Sequence, residues 1–181
     1  MSPLPFRQQA AAPRLPAHYR LQTEPHPSGE AINALLISCG EPTHPEERWP
    51  LALSRSLWQL SIVDERDQTL VGFIRATSDL ALNANLWNLA ACPGDDQNAL
   101  LNALLYHALA RLKKELPGCS ISISAPAIAL EGLKKQGFIL DPGGIRAMGL
   151  RLRKRLEPEL SRAWRDSNPR PSEPESDALS N

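Results

Sequence analysis

Leu70-Val-Gly-Phe-Ile-Arg-Ala-Thr-Ser-Asp79, with the run that follows it as far as Gly137-Phe138, decides the fold of this chain. The order reads strand (Leu70 to Asp79), strand (Leu86 to Cys92), helix (Gln97 to Leu116), strand (Ser120 to Ala125), helix (Ala127 to Gln136), then the Gly-Phe pair. Leu101, Leu105, Ala108 and Leu112 trace the buried face of the long helix, and Leu100, Leu104 and Leu109 widen it. Pro117-Gly118 stops that helix. A tight turn, Pro93 to Asp96, joins strand to helix and suits a site that holds a phosphate-bearing cofactor at a helix N-terminus.

Working outward, Trp58 to Val63 pairs with Leu70 to Thr77 as a hairpin across the polar turn Asp64 to Gln68. Ala84 to Cys92 adds a third antiparallel strand. Upstream, His18 to Thr23 alternates as a first strand. Ser28 opens a helix whose stripe is Ala31, Leu35 and Cys39 and which Gly40 ends. Glu46 to Ser56 gives a second, short helix, with Trp49, Leu53 and Leu57 at helical spacing. Downstream, Ile139 to Leu152 supplies closing strands bent at Asp141-Pro-Gly-Gly144. The expected division is a flexible lead-in over 1–16, one domain over 17–152 and a disordered tail over 153–181.

The chain has 181 residues, so a core of about 130–140 can support a single hydrophobic interior. Charges balance at 20 of each sign, leaving no global field to recruit nucleic acid or an anionic membrane. The basic run Arg151, Arg153, Lys154 and Arg155 reads as a solvated strand end. Cys39, Cys92 and Cys119 are odd in number and lack a Cys-x-x-Cys pair, which argues for a reducing compartment. His18, His26, His44 and His107 do not cluster with them, so no metal site is expected. No run approaches the roughly 20 apolar residues of a spanning helix. A cytoplasmic protein without nucleic-acid or membrane partners is the expectation. In the tail, Asp166-Ser167-Asn168-Pro169 can be encoded by GATTCGAACCC, the reverse complement of a T-arm sequence shared by many transfer-RNA genes. The tail thus reads either as a frame crossing such a gene on the opposite strand or as an ordinary disordered extension.

Val71-Gly-Phe73 on a strand, Trp87, Pro93, Gly137-Phe138, and Asp141-Pro-x-Gly-Ile-Arg-x-Met148, in that order, resemble the GCN5-related N-acetyltransferases. The flavour is that of bacterial, cyanobacterial and plastid members, and the match runs over roughly residues 18 to 152. The resemblance implies an α/β (α+β) fold with about four helices. Its mixed central sheet would be splayed between two parallel strands, here Leu86 to Cys92 and Ser120 to Ala125. Acetyl-CoA would be the co-substrate, with its pantetheine arm on the backbone edge of Leu89, Ala90 and Ala91. Its pyrophosphate would lie on the amides that open the long helix. The other partner would be an unidentified amine, and a homodimer is compatible with the family.

The family's pyrophosphate loop is Gln or Arg, two residues, Gly, one residue, Gly or Ala. The corresponding residues are Asp96, Gln97, Asn98, Ala99, Leu100 and Leu101. Leu101 puts a branched side chain where the family allows close approach, and Asp95 and Asp96 replace the basic residue with negative charge. A carboxylate about 6 Å from a phosphate costs roughly 0.7 kcal/mol in water-like surroundings and roughly 3 at an effective dielectric near 20. Asp95 or Asp96 is also a natural helix cap. The tyrosine that many members use as general acid falls by spacing on Leu133, and neither Tyr19 nor Tyr106 occupies its place. Asp79 and Asn88 are the polar groups positioned for base chemistry, with Asp79 expected to shape a turn. Cys92 is expected to be a small buried thiol. Ser122 and Ser124 lie on the second parallel strand. No catalytic residue is assigned. Two functions remain open: an N-acetyltransferase acting on an amine, and an inactive member that binds CoA weakly or docks a partner.

Overall fold

The computed structural model describes residues 12–140. The motif from Asp141 to Met148, the basic run, the tail and most of the lead-in lie outside the described residues. Of the expected closing strands only Ile139 and Leu140 fall within them, and neither is in a strand.

The strands are β1 (Tyr19–Gln22), β2 (Trp58–Asp64), β3 (Leu70–Ser78), β4 (Asn83–Ala91) and β5 (Ser120–Ile123). The helices are α1 (Gly29–Ser38), α2 (Trp49–Ser54), α3 (Gln97–Glu115) and α4 (Leu130–Lys135). Short 3-10 turns, Glu46–Arg48 and Ala127–Ala129, lead into α2 and α4, where the sequence suggested uninterrupted helices. The sheet order is β1-β2-β3-β4-β5. All pairings are antiparallel except β4 with β5, which α3 connects as a crossover. This is the expected mixed sheet.

Helices cover both faces. Ile62, Ile74, Leu86 and Leu89 pack with Leu100, Leu104, Leu105 and Leu133 on the α3–α4 face. Phe73, Val63 and Ala90 pack with Ile32, Leu35, Leu36, Trp49 and Leu53 on the α1–α2 face. Every residue of β2 is therefore buried, and Trp58-Gln-Leu-Ser-Ile-Val-Asp64 does not alternate as a half-exposed strand would. Gly72 has a packing role. A Cβ there would lie 3.2 Å from Ile62 Cβ and 3.3 Å from Leu104 Cδ1, so α3 rests directly on the strand backbone.

Two irregularities interrupt the strand register. Val63 faces Leu70 while Ile62 faces Gly72, leaving Val71 as an extra residue in β3. Phe73 faces Ala90 while Arg75 faces Trp87, so β4 carries an extra residue there, and Asn88 has φ +55. This bulge puts Leu89 and Ala91 on the same face as Leu86, where strict alternation would have turned them over.

Helix ends explain the glycine motifs. Ser28 caps α1 by accepting from Ala31 N at 3.1 Å. Gly40 closes it at φ +70, with Glu41 N donating to Leu36 O at 2.9 Å and Gly40 N to Ile37 O at 3.0 Å. The Gly137-Phe138 pair repeats this arrangement on α4. Gly137 takes φ +96, and Phe138 N donates to Leu133 O at 3.0 Å while its ring meets the core. One stripe is wider than expected. On α1 the buried residues are Ile32, Leu35 and Leu36, with Ala31 and Cys39 at the flank, because the helix leans toward Trp49 and Phe73.

The β2–β3 turn is fixed by Asp64, which accepts from Arg66 Nε at 2.9 Å, Arg66 Nη2 at 2.5 Å and Arg66 N at 3.0 Å. Hydrogen bonds from the Arg66 guanidinium hold the Asp64 carboxyl down at about 2, below its ordinary 3.8. A depressed carboxyl stabilises the fold above its unfolded value and loses that contribution as pH falls through the folded one. The melting temperature of Asp64→Asn should thus trail the wild type at pH 5, and the gap should close between about pH 4 and 2. A gap that persists unchanged to pH 2 would contradict this account.

Candidate functional site

β4 and β5 run parallel through Asn83↔Ser120, Ala84↔Ile121, Asn85↔Ser122 and Leu86↔Ile123, where the ladder stops. β5 ends there, and β4 continues to Ala91. Among the described residues, β4 beyond Leu86 is therefore paired only with β3. The side chains of Leu89, Ala90 and Ala91 are buried in the two cores. Cys92 N turns inward to Val71 O at 2.8 Å, whereas Ala91 O accepts from Gln97 Nε2 at 2.9 Å and Cys39 Sγ at 3.1 Å.

The turn Pro93 to Asp96 contains Gly94 at φ +146, a conformation that favours glycine. It delivers Asp96 to the N-cap position of α3. The expected cap is absent: Asp96 has helical φ −87 and ψ −6, and its side chain accepts no bond from the helix amides. Its carboxylate accepts instead from the Tyr19 hydroxyl at 3.2 Å. Burial and the Asp96 carboxylate raise the Tyr19 pKa, so the phenol stays protonated as a donor. Gln97 N donates to Gly94 O and Leu100 N to Asp96 O, at 3.2 and 3.0 Å. Between them, among the described residues, no acceptor meets the N–H groups of Asn98 and Ala99. Two main-chain donors at the positive end of a 19-residue helix are thus free to meet an anion.

The six positions of the expected loop fall on two sides of α3. Asp96, Gln97 and Leu100 line a cavity of about 320 Å³ together with Tyr19, Asp64, Arg66 and Cys92. Asn98 and Leu101 line a cleft of about 470 Å³ between α3 and α4, with Asn102, Leu105, Ile128, Gly132 and Lys135. Ala99 lies between, half-buried. Leu101 is 3 % exposed and packs into the core as one wall, so the cleft stays open beside it. Gly132 lets the helices approach, since a Cβ there would lie 2.8 Å from Asn102 Oδ1. Sequence reading missed Asn102 and Lys135; the only signal was their position on the two helices that bound the cleft.

The proton-transfer candidates separate cleanly. Leu133 is 3 % exposed and purely hydrocarbon. Tyr106 stands edge-on to His107 with ring centroids 5.3 Å apart. Asp79 accepts from Ala81 N, Leu82 N and Asn83 N at 2.9, 2.8 and 2.9 Å, and these amides hold its carboxyl far below the usual range. It shapes the β3–β4 turn. Asn88, at the bulge, accepts from Arg75 Nε at 2.8 Å. Ser122 bonds Asn85 across the parallel ladder. Cys92 is half-buried beneath the turn. None of these candidates offers the fork a carboxylate or imidazole free to take a proton. Arg75 and Trp87 were quoted in the motif without a role. A charged residue in mid-strand, two positions from Phe73, was the available signal.

Among the described residues, no helix is long and apolar enough to cross a membrane. No protein-family model matches the chain. It is 32 % identical over 119 residues to an uncharacterised N-acetyltransferase, ycf52, of the red alga Pyropia yezoensis, covering 65 % of this chain and 68 % of that protein. It is 30 % identical over 126 residues to the histone acetyltransferase TAP1 of Glycine max, covering 65 % of this chain and 54 % of that one. Among solved structures, a probable acetyltransferase of Staphylococcus aureus superposes with a TM-score of 0.67 at 18 % identity, covering 74 % of this chain and 99 % of that one. A GNAT family protein of Streptococcus pneumoniae gives 0.56 at 16 %, over 76 % and 98 % of the two chains. At such identities the structural likeness bears on the fold alone. The splayed parallel pair, the bulge and the algal relative together place this chain in the GCN5-related N-acetyltransferase family.

Proposed function

We propose that this protein is an acetyl-CoA-dependent N-acetyltransferase acting on an amine. The observation that carries the reading is the pair of unmet amides, Asn98 and Ala99, at the start of α3. They would hold the diphosphate. The edge of β4 from Leu89 to Ala91 would take the amide-bearing arm. Asn102 and Lys135 offer polar contacts in the α3–α4 cleft. Asp96 opposes an anion less than its place in sequence suggests, because its carboxylate is directed to Tyr19 and the neighbouring cavity.

When bound, acetyl-CoA supplies an acyl thioester, whose carbon–sulfur bond is exchanged for a carbon–nitrogen bond while the amine proton leaves with the thiol. The chain's contribution is to orient the reactants and to exclude water by means of the buried Leu89 and Leu86. With no base assigned among the described residues, the acceptor is read as arriving as the free amine. A cytoplasmic location belongs to the same proposal, supported by three cysteines that remain thiols.

The test is thermal melting with and without millimolar acetyl-CoA, followed by thiol release on addition of amines. A ligand that binds only the native state raises the midpoint, so a rise followed by amine-dependent thiol release is expected. A rise without turnover would support the CoA-binding module instead. No rise would leave the docking module.

A further inference from the structure

Arg75 stands opposite Trp87 on β3, two residues along from Phe73, and so faces the α1–α2 side of the sheet. The α3–α4 cleft opens on the other side. Arg75 Nε donates to Asn88 Oδ1 at 2.8 Å, one Nη donates to Ser56 Oγ at 3.3 Å, and the guanidinium lies 6.0 Å from the Trp87 ring centroid. All three partners are neutral. Among the described residues no carboxylate lies within ion-pair distance of Arg75. A guanidinium has five N–H donors in a fixed plane, and among the described residues two of these are used. Burial of the group pulls its pKa down, the mark of a cation without a counter-charge.

Its place matters as much as its state. Asn88 forms the bulge two residues past Leu86↔Ile123, the last pair before the parallel strands part. Its neighbours along the strands are neutral: Thr77 and Asn85 face each other, Asn85 faces Ser122, and the Trp87 indole, 39 % exposed, donates to Thr77 Oγ1 at 2.8 Å. On this face of β3 and β4, Arg75 sets one positive charge beside the Trp87 ring, and among the described residues no carboxylate pairs with it.

We propose that the acceptor is an amine that carries a carboxylate, and that Arg75, fixed by Asn88 and Ser56 against Trp87, receives that carboxylate while the nitrogen reaches the fork. This rests on the acetyltransferase reading for the reaction but not for the carboxylate site. Asn88 and Ser56 are positioning residues: they hold the guanidinium plane so that its free edge can meet a carboxylate oxygen pair.

Product-shaped probes test it without turnover. N-acetylalanine and N-acetyl-γ-aminobutyrate, each beside its neutral carboxamide, are titrated while the Trp87 indole N–H resonance is followed, assigned with Trp87→Phe. At least one carboxylate probe should shift that resonance saturably and bind about tenfold or more tightly than its carboxamide. Arg75→Gln should erase the preference and Arg75→Lys should keep part of it, with the acetyl-CoA melting shift retained in both. Equal affinity for carboxylate and carboxamide, no saturable response to any probe, or a preference that survives Arg75→Gln would overturn the proposal. If the preference holds but acetyl-CoA leaves the melting midpoint unmoved in the wild type, the transferase reading fails and the carboxylate site stands.

Discussion

Leu104→Ala is expected to destabilise the domain by about 3 kcal/mol, within the range for emptying a fully buried leucine site. Leu104 is 0 % exposed at the centre of α3, and its Cδ1 rests over the backbone of Gly72, which has no side chain to fill the space left behind. Ile62 bounds the same spot and is itself fully buried, so the surroundings have little freedom to collapse. Gly72→Ala alone should also destabilise, because its Cβ would press on Ile62 and Leu104 at once. In the Leu104→Ala background the same methyl should cost less, since one of its two obstacles is gone. Denaturant unfolding of the two single variants and the double variant measures that coupling. A loss below about 1 kcal/mol for Leu104→Ala, or strict additivity, would mean that α3 is not seated on Gly72.

Asn98→Pro is expected to weaken acetyl-CoA binding about tenfold or more while the domain still folds. Asn98 is the second residue of α3, where proline's fixed φ suits the first helical turn and its missing N–H breaks no bond within the helix. What it removes is one of the two unmet donors, and a hydrogen bond to a charged group contributes about 1.5–3 kcal/mol. Asn98→Ala keeps the amide and should bind nearly as the wild type does. Asp95→Asn should act in the opposite direction and most strongly at low salt, because an exposed carboxylate is screened within roughly 10 Å at 0.1 M ionic strength. Calorimetric titration of the three variants separates these effects. Equal affinity for Asn98→Pro and Asn98→Ala would remove the helix amides from the binding site.

The strand order and the long helix were legible because periodicity and punctuation agreed. The hairpin across Asp64 to Gln68 and the crossover from β4 to β5 each had an apolar run bounded by turn residues. Gly137-Phe138 was legible as a motif, and the structure supplies its cause in the closure of α4. The stripe read on α1, Ala31, Leu35 and Cys39, does pack against the core, but Ile32 and Leu36 beside it are the more deeply buried, and only contact with Trp49 and Phe73 shows that. Asp96 was placed correctly at the head of α3, but its partner Tyr19 is 77 residues away and no local rule connects them. The bulge at Asn88 left a faint trace, the broken alternation of Leu86, Leu89 and Ala91. The division of the expected loop between two cavities left none, since it depends on how α4 lies against α3.

The proposed site is thus built from backbone more than from side chains. The parting of β4 from β5 frees a strand edge, and an N-cap aspartate that bonds elsewhere frees two amides. On the proposed reading, that combination lets a family member bind its co-substrate with a loop that lacks the usual basic and small residues.

The most direct test is a titration of uniformly nitrogen-15-labelled protein with CoA, following main-chain amide resonances. Asn98 and Ala99 are expected to show the largest saturable shifts, accompanied by Gly94 and by Leu89 to Ala91. If those amides stay unmoved while Tyr19 and Arg66 across the neighbouring cavity respond, or if nothing responds at millimolar CoA, the helix-amide account is contradicted.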